Sequence, residues 1–374
     1  MNFHAATRVV WPSRYELLDG LRGLAALVVV LSHLGVVSSN SGHFAVTVFF
    51  VISGYCITAS ADSCRRNGVG FGQFMLRRIT RIYPPYLLAI VFFAATRLIK
   101  VAMGGPNALN RPVIDWVQNL TLTQWVSDLF HPVASPVQNP KLFVVAFWSL
   151  NYEEQFYLVM AIALVLSIRQ RLSLTVPVLC LGVIGVVWNW LIPGNWICGL
   201  FIEYWAHFAL GSCLFFALTQ CADSRGRLSF ILLTALLGAT SAGRVLLLKN
   251  GDPYEVLSAM TELSFLSAVT LGLFFLRPLS LRISQSQLWR PFAALGTISY
   301  SLYLIHQFNL TLVSSMAQHI IPATFPHFLI TLAEISLFIA LAALFWWCCE
   351  RPFLRVKSAH QQVMPTVAVD PRPA

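Results

Sequence analysis

Residues 17–37 read LLDGLRGLAALVVVLSHLGVV. The stretch is long and apolar enough to cross a bilayer, yet it carries Asp19, Arg22 and His33. Arg22 and His33 lie eleven positions apart. On a helix that is about 16 Å, or about half the hydrocarbon thickness. Eleven steps of about 100° make about three full turns, so both side chains project from nearly one face. Polar groups in a membrane helix cost several kcal/mol unless they face protein or a water-filled cavity. The pattern therefore predicts a cavity-lining stripe, with the cation near one mouth and the imidazole deeper. A histidine packed for structure alone is the plain alternative.

The surrounding composition sets the class. The chain has 374 residues, 57% hydrophobic and only 11% charged, with mean hydropathy +0.69. Soluble domains carry about 25% charged residues. These values predict an all-α polytopic membrane protein of about ten transmembrane helices with short loops. The net charge of +10 is explained by basic cytoplasmic loops and gives no reason to expect nucleic acid. The eight cysteines show no metal-like spacing, so they read as small core residues and no metal site is expected. The first apolar run is too long for a cleavable signal and is followed by a second span, so it reads as a retained helix.

In chain order, residues 1–15 form a polar lead placed inside. Spans are predicted at about 17–38, 43–61, 82–101, 143–167, 172–192, 196–219, 228–248, 256–276, 292–314 and 327–349. Residues 71–81, FGQFMLRRITR, read as a short amphipathic segment lying in the interface, with Pro84 and Pro85 in the first turn of the third span. Residues 103–141 form the longest outer loop, either a functional lid or a plain connector. With the N-terminus inside, only Arg97, Lys100, Arg111, Lys141, Arg244 and Lys249 fall outward, which leaves nineteen of the 25 basic residues on the inner side. Both termini are thus expected in the cytoplasm. Residues 1–354 form one membrane domain, and the Pro-containing tail 355–374 reads as disordered.

Several groups can carry chemistry. Arg78 and Arg81 share a helix face and offer a fork of donors suited to phosphate, at the mouth where a soluble donor would arrive; positive-inside anchoring explains them equally. Glu153 and Glu154 are two adjacent acids within an apolar run, and one is expected to face the cavity. Tyr157 adds a hydroxyl and an aromatic face. Ser299, Tyr303 and His306 form a polar stripe near mid-membrane. Glu203 and His207 form a weaker pair. Glu350-Arg351-Pro352-Phe353 reads as a helix stop with an interfacial ion pair.

Six motifs occur in order: LDGLRGLAALVVVLSH with Arg22 and His33, FFVISGY at 49–55, RRITRIYP with Arg78 and Arg81, WSLNYEEQFY at 148–157, SYSLYLIH at 299–306, and ERPF at 350–353. Together they resemble the acyltransferase 3 family of integral membrane O-acyltransferases, the O-antigen and exopolysaccharide acetylase type. The resemblance covers about residues 14–354. It implies a ten-helix domain in the cell inner membrane that moves an acyl group, often acetyl, from acyl-CoA to a hydroxyl of a saccharide or lipid-linked saccharide. No bound cofactor is implied; acyl-CoA is a co-substrate. The family's essential His matches His33, its first-span Arg matches Arg22, and its arginine pair matches Arg78 and Arg81. Thr47 stands where relatives often carry an acid before FFV. Many relatives also carry a hydrolase-like C-terminal domain, so this chain is expected to act alone or with a partner.

His33 would act as general base on the acceptor or as transient acyl carrier, with Glu153, Tyr157 or His306 orienting it or the acceptor. Two rival readings remain at this stage. A proton-coupled small-solute transporter would also use intramembrane Glu and His. A scaffold in a polysaccharide assembly would tolerate changes at His33 or Arg81.

Overall fold

A computed structural model describes residues 15–130, 141–191, 200–220, 230, 253–321 and 325–354. The chain is all-helical, with no strand among the described residues. The predicted polar lead up to residue 14, all but Phe230 of the seventh span, and the tail lie outside the described residues, as do the side chains of Glu203 and Glu262.

Helix α1 (Leu17–His33) and helix α2 (Ser39–Arg66) form an antiparallel hairpin. Arg22 of α1 reaches Cys56 Sγ of α2 at 3.7 Å, and Ser32 abuts Gly42 at the other end. Helix α11 (Arg290–Ile305) packs beside α1, and α8 (Trp205–Gln220) packs beside α2. Both pairings run parallel and close through glycine. A Cβ on Gly296 would fall 1.9 Å from the Asp19 carbonyl oxygen, and one on Gly23 would fall 2.0 Å from that of Phe292. Gly54 and Gly211 stand in the same relation to Phe208 and Val51. Small residues let membrane helices approach backbone to backbone, where dispersion replaces the missing hydrophobic drive. The glycines of DGLRG and SGY are thus helix contacts.

Helix α3 is continuous from Phe71 to Ala102, which corrects the expected break near residue 82. The basic segment 71–81 does not lie apart in the interface; it is the first part of a spanning helix. Pro84 and Pro85 sit inside that helix. Each lacks an amide for the carbonyl four residues earlier, at Thr80 and Arg81. Tyr300 Oη donates to the neighbouring Ile82 carbonyl at 3.0 Å.

The 103–141 loop is also more than a connector. It contains α4 (Val113–Thr121) and α5 (Gln124–Phe130). Helix α4 runs back along α3: Tyr86 Oη donates to the Asn119 carbonyl at 2.5 Å, and Tyr83 Oη to that of Thr121 at 3.0 Å. Tyr83 is nineteen residues from the end of α3, so α4 returns about 28 Å along it. Its apolar face of Val113, Ile114, Val117 and Leu120 is exposed.

Helices α6 (Trp148–Arg169), α7 (Thr175–Leu191) and α9 (Pro253–Leu276) follow, then the short α10 (Ser280–Gln285). The buried Arg277 between the last two pairs with Glu16 at 3.5 Å and lies 4.7 Å over the Tyr15 ring. The predicted ninth span is broken. Helix α11 ends at Ile305, and α12 (Leu310–Ile320) begins after a turn at 306–309. Helix α13 (His327–Phe345) runs into a π turn at Trp346–Glu350, with helix continuing to residue 354. ERPF therefore does not stop the helix. Among the described residues, four helices are long and apolar enough to cross a membrane: Ser39–Arg66, Phe71–Ala102, Phe265–Gln285 and His327–Leu354. Cys64 and Cys213 are buried as expected for core residues, whereas Cys180 and Cys348 are exposed.

Candidate active site

Two adjoining cavities lie among α1, α2, α3, α6, α11 and the last helix. One of about 230 Å³ is lined by Phe49, Ser149, Tyr300, Tyr303 and Glu350 among others. The other, of about 270 Å³, is lined by Tyr15, Tyr55, Cys56 and Arg78 among others. Both are also lined by Asp19, Arg22, Ser53, Arg81, Glu153 and Tyr157. These shared walls make them chambers of one site.

The heptad-like geometry of α1 brings Asp19 and Arg22 to the shared wall, three residues apart on one face. Arg81 reaches it because α3 stays helical through RRITR, so the i,i+3 partner Arg78 shares its face. The Arg78 guanidinium stands 5.6 Å over the Phe74 ring and 5.7 Å over the Tyr157 ring. Among the described residues, no carboxylate oxygen lies within 4.0 Å of Arg22, Arg78 or Arg81. Three guanidinium groups thus face one intramembrane cavity without direct ion pairs. Such a cavity attracts an anion, and guanidinium suits phosphate oxygens bidentately.

Glu153 sits in the second turn of α6, nearer the helix start than its place in the apolar run suggested. Its Oε1 accepts from Ser53 Oγ at 3.0 Å and from Tyr157 Oη at 2.6 Å. Glu154 points elsewhere, accepting from Tyr83 Oη at 2.5 Å. Only Glu153 of the pair lines the cavity.

The two histidines form a separate cluster. His33 is the last residue of α1 and is exposed, so it stands at the helix end, not partway along a longer span. Its ring centroid is 4.9 Å from that of the fully buried His306, which opens the turn after α11. His306 Nδ1 lies 2.8 Å from the Tyr303 carbonyl. A carbonyl only accepts, so Nδ1 carries the proton in the neutral ring and Nε2 holds the lone pair. That Nε2 is buried with no hydrogen-bond partner among the described residues. Neither histidine lines the two chambers; Tyr303 stands between. It lines the first chamber, its ring is 5.7 Å from His306, and its hydroxyl bonds Ser149 Oγ at 2.6 Å and the Ala146 carbonyl.

The site thus unites Arg22, Arg78, Arg81, Glu153 and Tyr157, and joins His33 and His306 to it through Tyr303. His207 is buried against Tyr204 and Phe50 and lines neither chamber. Sequence reasoning missed Ser53, Tyr300 and Cys56, and it gave Glu350 a different task. The signal for Ser53 was present in FFVISGY, a polar residue in a strongly apolar run. Among the described residues, no group of three or more His, Cys, Asp or Glu is arranged to hold a metal ion.

A family model described as an acyltransferase domain, that of acyltransferase 3, matches residues 15–351. The chain belongs to the acyltransferase 3 family. Among curated relatives, it is similar to the peptidoglycan O-acetyltransferase OatA of Listeria monocytogenes, 30% identical over 48% of this chain and 29% of that protein. It is 31% identical to YrhL of Bacillus subtilis, provisionally named a peptidoglycan O-acetyltransferase, over 44% of this chain and 26% of the relative. A Staphylococcus aureus protein provisionally named an O-acetyltransferase is 26% identical over 90% of this chain and 56% of its own length. The chain thus spans from about a quarter to about half of the length of these relatives. No solved structure matches. The family match lends no support to the transporter reading.

Proposed function

We propose that this protein is an integral membrane O-acyltransferase. It moves an acyl group, acetyl by preference, from cytoplasmic acyl-CoA to a hydroxyl of a saccharide or lipid-linked saccharide. It does so as a ten-span protein of the cell inner membrane, with both termini in the cytoplasm and residues 1–354 as the membrane domain. The observation that carries this reading is the arginine-lined cavity joined through Tyr303 to a histidine pair. Family membership and the acetyltransferase names of the relatives support it.

In this mechanism the donor's phosphates are held by Arg78, Arg81 and Arg22, and its thioester extends past Tyr303 towards His33. Bidentate guanidinium contacts fix the charged end and leave the uncharged arm free to reach the chemistry. His33 then removes the proton from the acceptor hydroxyl as that oxygen attacks the thioester carbonyl, and the CoA sulfur leaves and is protonated. The alternative step is a transient acyl-imidazole on His33, which the acceptor hydroxyl opens. His306 orients His33 through the contact of their rings. Glu153, held by Ser53 and Tyr157, orients the donor or acceptor beside the arginines.

The test is transfer of label from radiolabelled acetyl-CoA to membrane saccharide in inverted vesicles. Wild-type protein should label saccharide, and His33→Ala should not, at equal expression and insertion. Full labelling by His33→Ala would overturn the mechanism. Solute uptake without labelled saccharide would restore the transporter reading.

A further inference from the structure

The charges at the two ends of the site differ. Asp19, Arg22, Arg81 and Glu153 are common to both chambers. Among the described residues, the only further charged residue in one is Arg78, and the only further one in the other is Glu350. Glu350 is 5% exposed, and its Oε2 accepts from the fully buried Ser301 Oγ at 2.6 Å. Around it the wall offers the hydroxyls of Thr297, Ser299 and Tyr300.

The backbone delivers this carboxylate by a local device. Along the last helix the buried positions are Glu334, Phe338, Ala342 and Phe345, spaced by four, four and three. The next buried position is Glu350, five residues on. That wider step is the π turn at Trp346–Glu350. An unbroken α-helix would turn Cys349 inward and Glu350 aside. The inserted residue rotates the acid into the cavity wall; π turns of this kind recur at functional sites. A helix stop at an interface needs no such rotation.

We propose that Glu350 is a donor-positioning residue, whose carboxylate receives an N–H or O–H from an uncharged part of the acyl donor. A carboxylate at this end repels the anionic end of a ligand and accepts hydrogen bonds from neutral donors. The end at Arg78, where the charge that the chambers do not share is a cation, does the reverse. The amide N–H groups in the arm between phosphates and thioester are the chemistry that fits. The cavity therefore reads the direction of the ligand as well as its charge. Ser301 holds the carboxylate in place. This inference rests on the acyl-CoA reading given above.

Two probes separate the terms: acetyl-CoA, which has phosphates and amides, and acetyl-pantetheine, which has the amides alone. Equilibrium binding of each is measured with protein in lipid nanodiscs. Glu350→Gln should weaken both by the same factor, about tenfold, because the charged acceptor is lost for both. Ser301→Ala should weaken both in the same direction by less. Arg78→Ala should weaken acetyl-CoA and leave acetyl-pantetheine unchanged. Thermal unfolding of each variant reports folding, and Glu350→Asp, which keeps the charge, should recover part of the loss. Unchanged binding of both probes by folded Glu350→Gln overturns the inference, as does a loss confined to acetyl-CoA. Wild-type protein that binds neither probe overturns the acyl-CoA reading itself, a different pattern.

Discussion

The imidazole rings of His33 and His306 lie 4.9 Å apart at an interplanar angle of 48°. They come from residues far apart in sequence, at the ends of two parallel helices. His33 is exposed, whereas His306 is sealed in protein with Nδ1 committed to the Tyr303 carbonyl. The proposed mechanism assigns reaction to the exposed histidine and orientation to the buried one.

From that division, His306→Ala should lower kcat by about tenfold or more and leave KM for acetyl-CoA within about twofold. Positioning losses of this size follow from small displacements of a catalytic group. His33→Ala should remove transfer altogether. Steady-state transfer by purified protein checks both, and a matching rise in KM for His306→Ala would count against the assignment.

In the proposed mechanism Arg22, Arg78 and Arg81 make donor binding dependent on charge. Arg81→Ala should raise KM for acetyl-CoA by about ten- to a hundredfold, the range for losing a charged hydrogen bond. Arg81→Lys should recover only part, since an ammonium lacks the planar fork. Isothermal titration across this series tests it, and equal affinity for all three proteins would refute the phosphate assignment.

Cys56 lines the Arg78 chamber and accepts a contact from Arg22. In a variant whose other cysteines are replaced by alanine, Cys56 should react with a membrane-permeant maleimide. Saturating acetyl-CoA should slow that reaction about tenfold or more by occupying the chamber. Mass spectrometry of the labelled peptide provides the measurement, and no protection would mean the donor binds elsewhere.

Gly296 and Gly272 should behave oppositely. A Cβ at Gly296 meets the Asp19 carbonyl oxygen at 1.9 Å, whereas nothing lies within 4 Å of one at Gly272. Gly296→Ala should cost about 1–3 kcal/mol as α1 and α11 are pushed apart. Gly272→Ala should be neutral or slightly stabilising, since alanine favours helix. Thermal unfolding in detergent resolves the difference.

Much of the site was legible in sequence because some of its geometry is local. Arg22 and Glu153 are found by asking which charged residues interrupt apolar runs, and Arg78 with Arg81 by helical spacing alone. Glu350 was legible as a residue and misread as a role, because a π turn shifts the helical phase and leaves no compositional mark. The break at His306 was hidden for a similar reason. No Gly or Pro marks it; carbonyls freed by the break are met by polar side chains of the turn itself, that of Ile305 by Asn309 Nδ2 at 3.0 Å and that of Tyr303 by His306 Nδ1 at 2.8 Å.

By itself the sequence determined that the chain is helical and apolar, and that a cation and an imidazole stand on its first helix. Those properties follow from composition and from a period that each helix carries alone. Only tertiary structure decided that Arg22, Ser53, Arg81, Glu153 and Glu350 share one wall, and that His33 meets His306. Such neighbours are set by where helices touch, at Gly23 with Gly296, at Gly54 with Phe208 and at Gly211 with Val51. A contact between two helices is a property of the pair, and no periodicity within either one contains it.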